Sequence, residues 1–153
     1  MNRFKLLLVC ATLAAGAAAP AAMADQERFA MTNPTWNTEC GSCHVAYPPR
    51  LLPTASWEAL LGDLGNHFGS DASLDPATTA ELLAYAQMHA SARASSGEPT
   101  LRITRTRWFL HEHGEISPAT WQRPEIGSPA NCAACHRGAD SGDYSERHIK
   151  IPR

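Results

Sequence analysis

The sequence predicts a mainly α fold, built of short helices and irregular segments with little or no β structure. Three observations point there. Apolar residues recur at helical spacing, as in Trp57, Leu60, Leu61 and Leu64, and again in Leu82, Leu83, Ala86 and Ala90. A capping side chain followed by proline, a helix-start signature, occurs at Asn33-Pro34, Asp75-Pro76, Ser117-Pro118 and Ser128-Pro129. No segment alternates with a period of two. The chain has 153 residues, 15 acidic and 13 basic, with a formal charge of −2 and 44% hydrophobic content. That composition suits a globular chain of one domain, or two small ones. Without a basic excess, a nucleic-acid partner has no electrostatic support.

The first 24 residues read as a secretory signal peptide. Arg3 and Lys5 form a basic start, Leu6 to Ala19 is apolar, and Ala22-Met23-Ala24 is a cleavage site of the A-x-A kind. The apolar run is too short to span a bilayer comfortably. Cys10 follows Val9, where a lipoprotein signal requires a small residue. The mature chain is therefore expected to cover 25–153, 153 − 24 = 129 residues with a charge of 11 − 15 = −4, and to contain no membrane span. Export implies an oxidising compartment, the periplasm. Four cysteines remain after cleavage, and in that compartment two disulfides are the ordinary expectation.

Their placement points elsewhere. Cys40-Gly41-Ser42-Cys43-His44 and Cys132-Ala133-Ala134-Cys135-His136 are both C-x-x-C-H. Each pair spans one helical turn and is followed at once by a histidine. This spacing lets two thiols form thioethers to the vinyl edges of one haem while the adjacent histidine reaches the iron. Two such motifs imply two covalent c-type haems and use every mature cysteine. A thioredoxin-like site needs a βαβ context that is missing. A four-cysteine zinc site leaves the two adjacent histidines unexplained.

The remaining elements follow in order. Asn33 caps a first helix with Pro34 at its first position, running through Trp36 into the first motif and stopped by Pro48-Pro49. A second helix is expected from about 54 to 66, fraying at Gly65, His67-Phe68 and Gly69. Asp75-Pro76 opens a third, running to about 94. Residues 95–100 read as a linker, dividing an N-terminal haem part (about 25–94) from a C-terminal one (about 101–153). Thr104 to His113 reads as a short helix stopped by Gly114. Ser117-Pro118 opens a turn around Trp121. Ser128-Pro129 starts a helix carrying the second motif, ended by Gly138, and the tail from 139 to 153 looks mostly irregular.

With His44 and His136 as proximal ligands, the second axial position decides between carrier and catalyst. Only Met31 and Met88 survive cleavage, whereas His67, His89, His111, His113 and His148 are spare. Bis-histidine ligation gives a low-spin centre of lower potential than His/Met ligation, and an open position would allow gas or peroxide chemistry. His67 sits at a helix end, well placed to reach a haem. His113 follows the apolar stretch Trp108-Phe109-Leu110. His111 lies about 200° around the helix from His113, so the two cannot face one haem. His89 and His111 remain reserve distal candidates, and His148 reads as solvated. By sequence distance His67 serves the haem on Cys40 and Cys43, and His113 that on Cys132 and Cys135. The swapped arrangement costs only about 1 kcal/mol more in loop entropy.

The chain also resembles the small bacterial dihaem cytochromes c of the DHC type. The likeness extends beyond the generic motif: Cys40 to Pro49, Leu51-Leu52-Pro53, Ser56-Trp57, His67 to Asp75, Ile103-Thr104, Trp108-Phe109, His113, and Asn131 to His136 followed by Ala139 and Gly142. The resemblance implies two low-potential bis-histidine haems, with His67 and His113 as distal ligands, and one-electron transfer rather than enzymatic turnover. His89, His111 and His148 match no family position. It further implies a small monohaem cytochrome as electron acceptor and a membrane cytochrome b as donor. A dihaem peroxidase or a gas-binding sensor would instead need one open iron, and dihaem peroxidases are far longer than 129 residues.

Overall fold

The structure is a computed structural model that describes residue 29, residues 31–92 and residues 97–153. The expected signal peptide, the last residues of the expected third helix and part of the linker lie outside the described residues. Helices and single turns make up the ordered backbone. The only β contacts among the described residues are four isolated bridges, such as Pro53 with Ser91 and His136 with Ile149. Among these residues no helix is long and apolar enough to cross a membrane.

Helix α1 spans Pro34–Gly41. Asn33 caps it, its side chain accepting from the Trp36 amide at 2.8 Å. It ends inside the first motif, earlier than Pro48-Pro49, and leaves Cys43 and His44 on the turn beyond it. Helix α2 spans Thr54–Leu61. Gly62 closes it, and the stretch expected to continue to residue 66 is instead a separate 3₁₀ turn, Leu64–Asn66. Helix α3 spans Pro76–His89, with the Asp75 carboxylate accepting from the Ala77 and Thr78 amides. It stops before residue 94 because the chain turns out at Ala90 and the Ser91 amide bonds the Leu52 carbonyl at 2.9 Å.

These three helices share the main core. Trp36 meets Trp57 edge-on at 5.2 Å and Tyr85 at 5.4 Å between ring centres. Leu52, Leu60, Leu61, Leu82 and Ala86 fill the space around them. Both indoles bond to backbone, Trp36 Nε1 to the Tyr47 carbonyl at 3.1 Å and Trp57 Nε1 to the Pro49 carbonyl at 2.6 Å. The Val45 to Pro49 stretch is thereby pinned to the core.

The C-terminal half is thinner. Helix α4 spans Arg107–Glu112, capped by Thr106 and preceded by a 3₁₀ turn at Ile103–Arg105. Helix α5 is a single turn, Pro118–Trp121, capped by Ser117. The helix expected from Ser128-Pro129 does not form. Ser128 and Asn131 spend their side chains on local backbone, Ser128 Oγ accepting from the Ala130 amide and Asn131 Nδ2 donating to the Ile126 carbonyl. Only a 3₁₀ turn, Cys132–Ala134, carries the second motif. The tail is more ordered than its composition suggests. It makes turns at Ala139–Ser141 and Glu146–His148, and the Lys150 amide returns to the Cys135 carbonyl at 2.9 Å.

Trp36 is 1% exposed and touches both other aromatic members of the core. Trp36→Ala is expected to cost about 3–5 kcal/mol, measured as a shift in denaturant midpoint. A cost within the range of a surface substitution would contradict this account of the core.

Candidate haem-binding site

Both motifs open on one cavity of about 1050 Å³, at the top of the range of roughly 300–1,000 Å³ that holds single small ligands. Residues on either side of the linker line it, including Leu60, Leu64 and Leu74 on one side and Trp108, Trp121 and Ile126 on the other. None of the four described cysteines is paired in a disulfide, so the ordinary disulfide expectation fails. Burial, with a smaller push from the Glu39 carboxylate, raises the Cys40 thiol to about 11; burial raises Cys132 to about 11 and also lifts Cys135.

The structure brings the histidines together in two pairs. His44 and His67 stand 6.3 Å apart between ring centres, with ring planes 25° from parallel. His113 and His136 stand 6.1 Å apart, with planes at 70°. With a metal–nitrogen bond of about 2 Å and about 1.2 Å from that nitrogen to the ring centre, two imidazoles across one metal ion stand about 6.4 Å apart. Both separations fit two rings with one iron between them. In each pair one ring is tethered through Nδ1, His44 to the Val45 carbonyl at 2.7 Å and His113 to the Phe109 carbonyl at 3.0 Å. An Nδ1–H donated to a carbonyl leaves Nε2 with its lone pair free for a metal. The other ring of each pair, His67 and His136, has a buried Nδ1 with no protein partner. Burial lowers the pKa of both, helped by the facing histidine in each case, so both rings are held neutral. Neutral imidazole is the ligating form.

Local sequence explains where each ring sits. His67 caps the 3₁₀ turn and begins a tight turn to Ser70, closed by bonds between the two backbones at 2.9 and 3.1 Å. Phe68 and Gly69 both take positive φ, 54° and 96°, the mirror-image turn type that tight reversals prefer. The Arg102 guanidinium lies 4.0 Å over the Phe68 ring. His113 caps α4, and its ring stacks on Phe109 at 4.0 Å and 15°.

The reserve histidines are not brought in. The His111 side chain is 85% exposed and pairs with its neighbour Glu112. His89 lies on the exposed side of α3 against Tyr85 and does not line the cavity. His148 is not simply solvated: its Nδ1 is 2.8 Å from Asp143 Oδ2, beside the buried Ser145. Sequence reasoning missed Tyr47 and Tyr144, whose rings pack on His44 and His136 at 4.5 and 5.2 Å. A tyrosine three residues after a motif histidine was the available signal for the first; for the second there was none. The charged residues lining the cavity are five carboxylates (Glu39, Asp71, Glu112, Glu115 and Glu146) and one guanidinium, Arg102.

Comparison with known proteins bears on this geometry. A family model described as dihaem cytochrome c matches residues 36–144. The chain is 46% identical to DHC purified from Rhodobacter sphaeroides, over 76% of this chain and 100% of that one, with a TM-score of 0.67. It is 39% identical to a diheme cytochrome type c from Shewanella baltica, over 78% and 93%, with a TM-score of 0.70. A diheme cytochrome c structure from Rhodobacter sphaeroides matches at 40% identity, over 76% and 99%, with a TM-score of 0.68. No curated protein sequence matches the chain.

Gly69 at φ +96° has no neighbour that a Cβ would strike, so substitution there tests backbone strain alone. Gly69→Ala is expected to destabilise the protein by about 1–2 kcal/mol, read as a lower melting temperature. An unchanged melting temperature would show that the turn carrying His67 is not held in this conformation.

Proposed function

The chain belongs to the dihaem cytochrome c family and carries two c-type haems, and we propose that it is a periplasmic one-electron carrier in which both irons are closed by histidine pairs. The observation that carries this reading is the pair of ring separations, 6.3 Å for His44 with His67 and 6.1 Å for His113 with His136. When bound, the haems supply one-electron iron redox chemistry. The protein does the rest. Cys40 and Cys43 hold one haem by thioethers, and Cys132 and Cys135 the other. His44 and His136 ligate from the motif side, and His67 and His113 from the opposite side.

Two features of the site favour low potentials. Imidazole on both faces avoids the thioether ligation that raises a cytochrome's potential. The carboxylates around the cavity favour the more positive, oxidised centre. The same acidic rim suits a partner with a basic or neutral docking face. A small monohaem cytochrome as acceptor and a membrane cytochrome b as donor are the partner classes that fit. A second imidazole facing each motif histidine leaves no open position for peroxide or gas chemistry, so the reading is a carrier and not an enzyme.

The test is optical. Native protein should show six-coordinate low-spin bands and no change with carbon monoxide at neutral pH. His67→Gly should open one iron to carbon monoxide, and His113→Gly the other, each leaving the second centre low-spin. A carbon monoxide shift in native protein, or an iron opened instead by His89→Gly or His111→Gly, would overturn the assignment.

A further inference from the structure

Among the described residues, Tyr47 reaches from one histidine pair to the attachment segment of the other. Its ring stacks on His44 at 4.5 Å and 18°. Its hydroxyl donates to the Ala130 carbonyl at 2.7 Å, across 83 residues of sequence. Ala130 lies two residues before Cys132, the first thiol of the second motif. The backbone at Tyr47 does not give: its carbonyl accepts from Trp36 Nε1 at 3.1 Å, and Pro48 and Pro49 beside it are buried. The phenol is thus a short arm mounted on the N-terminal core, with its tip on the loop that carries the C-terminal motif.

We propose that Tyr47 is a positioning residue that fixes the spacing of the two haem centres and so sets the rate of electron exchange between them. The inference rests on the two-haem carrier reading and goes beyond it. The exchange moves one electron from the ferrous centre of one half to the ferric centre of the other. No bond is made or broken, and the phenol is neither oxidised nor deprotonated. The C-terminal loop needs such an arm, because its own side chains satisfy only local backbone and the segment forms no regular helix.

Tyr47→Phe keeps the ring on His44 and deletes the bond to Ala130. In the haem-loaded protein, amide hydrogen exchange over residues 128–136 should quicken about fivefold, the effect of losing one hydrogen bond. Exchange in α3 should be unchanged. After rapid partial reduction, electron equilibration between the two haems should slow by about fivefold or more, with both centres still low-spin. Tyr47→Leu, which also removes the stack, should slow it further. Equilibration in Tyr47→Phe within about twofold of native overturns the proposal, whatever happens to stability. So does a slowing confined to Tyr47→Leu, which would assign the effect to the ring and not to the hydrogen bond. Failure of the carrier reading looks different: native protein would then lack two low-spin centres before any substitution is made.

Discussion

The rest of the structure depends on the need to hold two imidazoles about 6 Å apart across an apolar gap, twice in one short chain. Left in water an imidazole takes up a proton at about pH 6.5 and is free to turn. The fold removes both freedoms. Burial and the facing ring keep His67 and His136 neutral. Carbonyl tethers at Val45 and Phe109 fix the tautomer of His44 and His113. A gap of this kind is costly to maintain as empty space, and the covalently attached cofactor makes it sustainable.

The two halves meet this requirement by different means. The N-terminal half has a conventional core, in which two tryptophans, a tyrosine and several leucines pack between α1, α2 and α3. It can place His44 and His67 from rigid elements. Beyond the linker, the buried apolar residues are only Phe109, Ile126 and Ala139. The short turns of that half are held mainly by local hydrogen bonds and by contacts returning to the second motif. There a bound haem would supply the apolar core that the chain itself lacks. Phe109, Trp121 and Tyr144 are arranged around the second histidine pair as its walls. This asymmetry gives the bond from Tyr47 to Ala130 its weight, since it, together with the Phe29 amide on the Gly142 carbonyl and Arg102 over Phe68, couples the well-packed half to the sparse one.

Local chemistry explains which features were readable in the sequence. The helix starts at Asn33, Asp75 and Ser117 formed as their cap-plus-proline pairs indicate. The proximity of His67 to His44 and of His113 to His136 was also readable, because His67 and His113 stand at element ends close in sequence to those motifs. The start at Ser128-Pro129 misled. There Ser128 and Asn131 bond to nearby backbone and compete with helix formation. The ends of α2 and α3 were overestimated, since periodicity continues past the point where Gly62, and the bridge from Ser91 to Pro53, turn the chain away. The order of the tail was hidden because its partners are the backbone of Cys135 and the Asp143–Ser145–His148 cluster, neither of which has a periodic signature.

The ring planes offer the most direct test of paired imidazole ligation, because they differ between the two pairs, 25° in one and 70° in the other. Electron paramagnetic resonance of the fully oxidised protein at low temperature reads that angle at each iron. The account predicts two low-spin ferric signals of equal weight, a rhombic one from the near-parallel pair and a highly anisotropic one with a large g value from the near-perpendicular pair. A high-spin signal at either iron, or ligation of either iron by methionine, would contradict it.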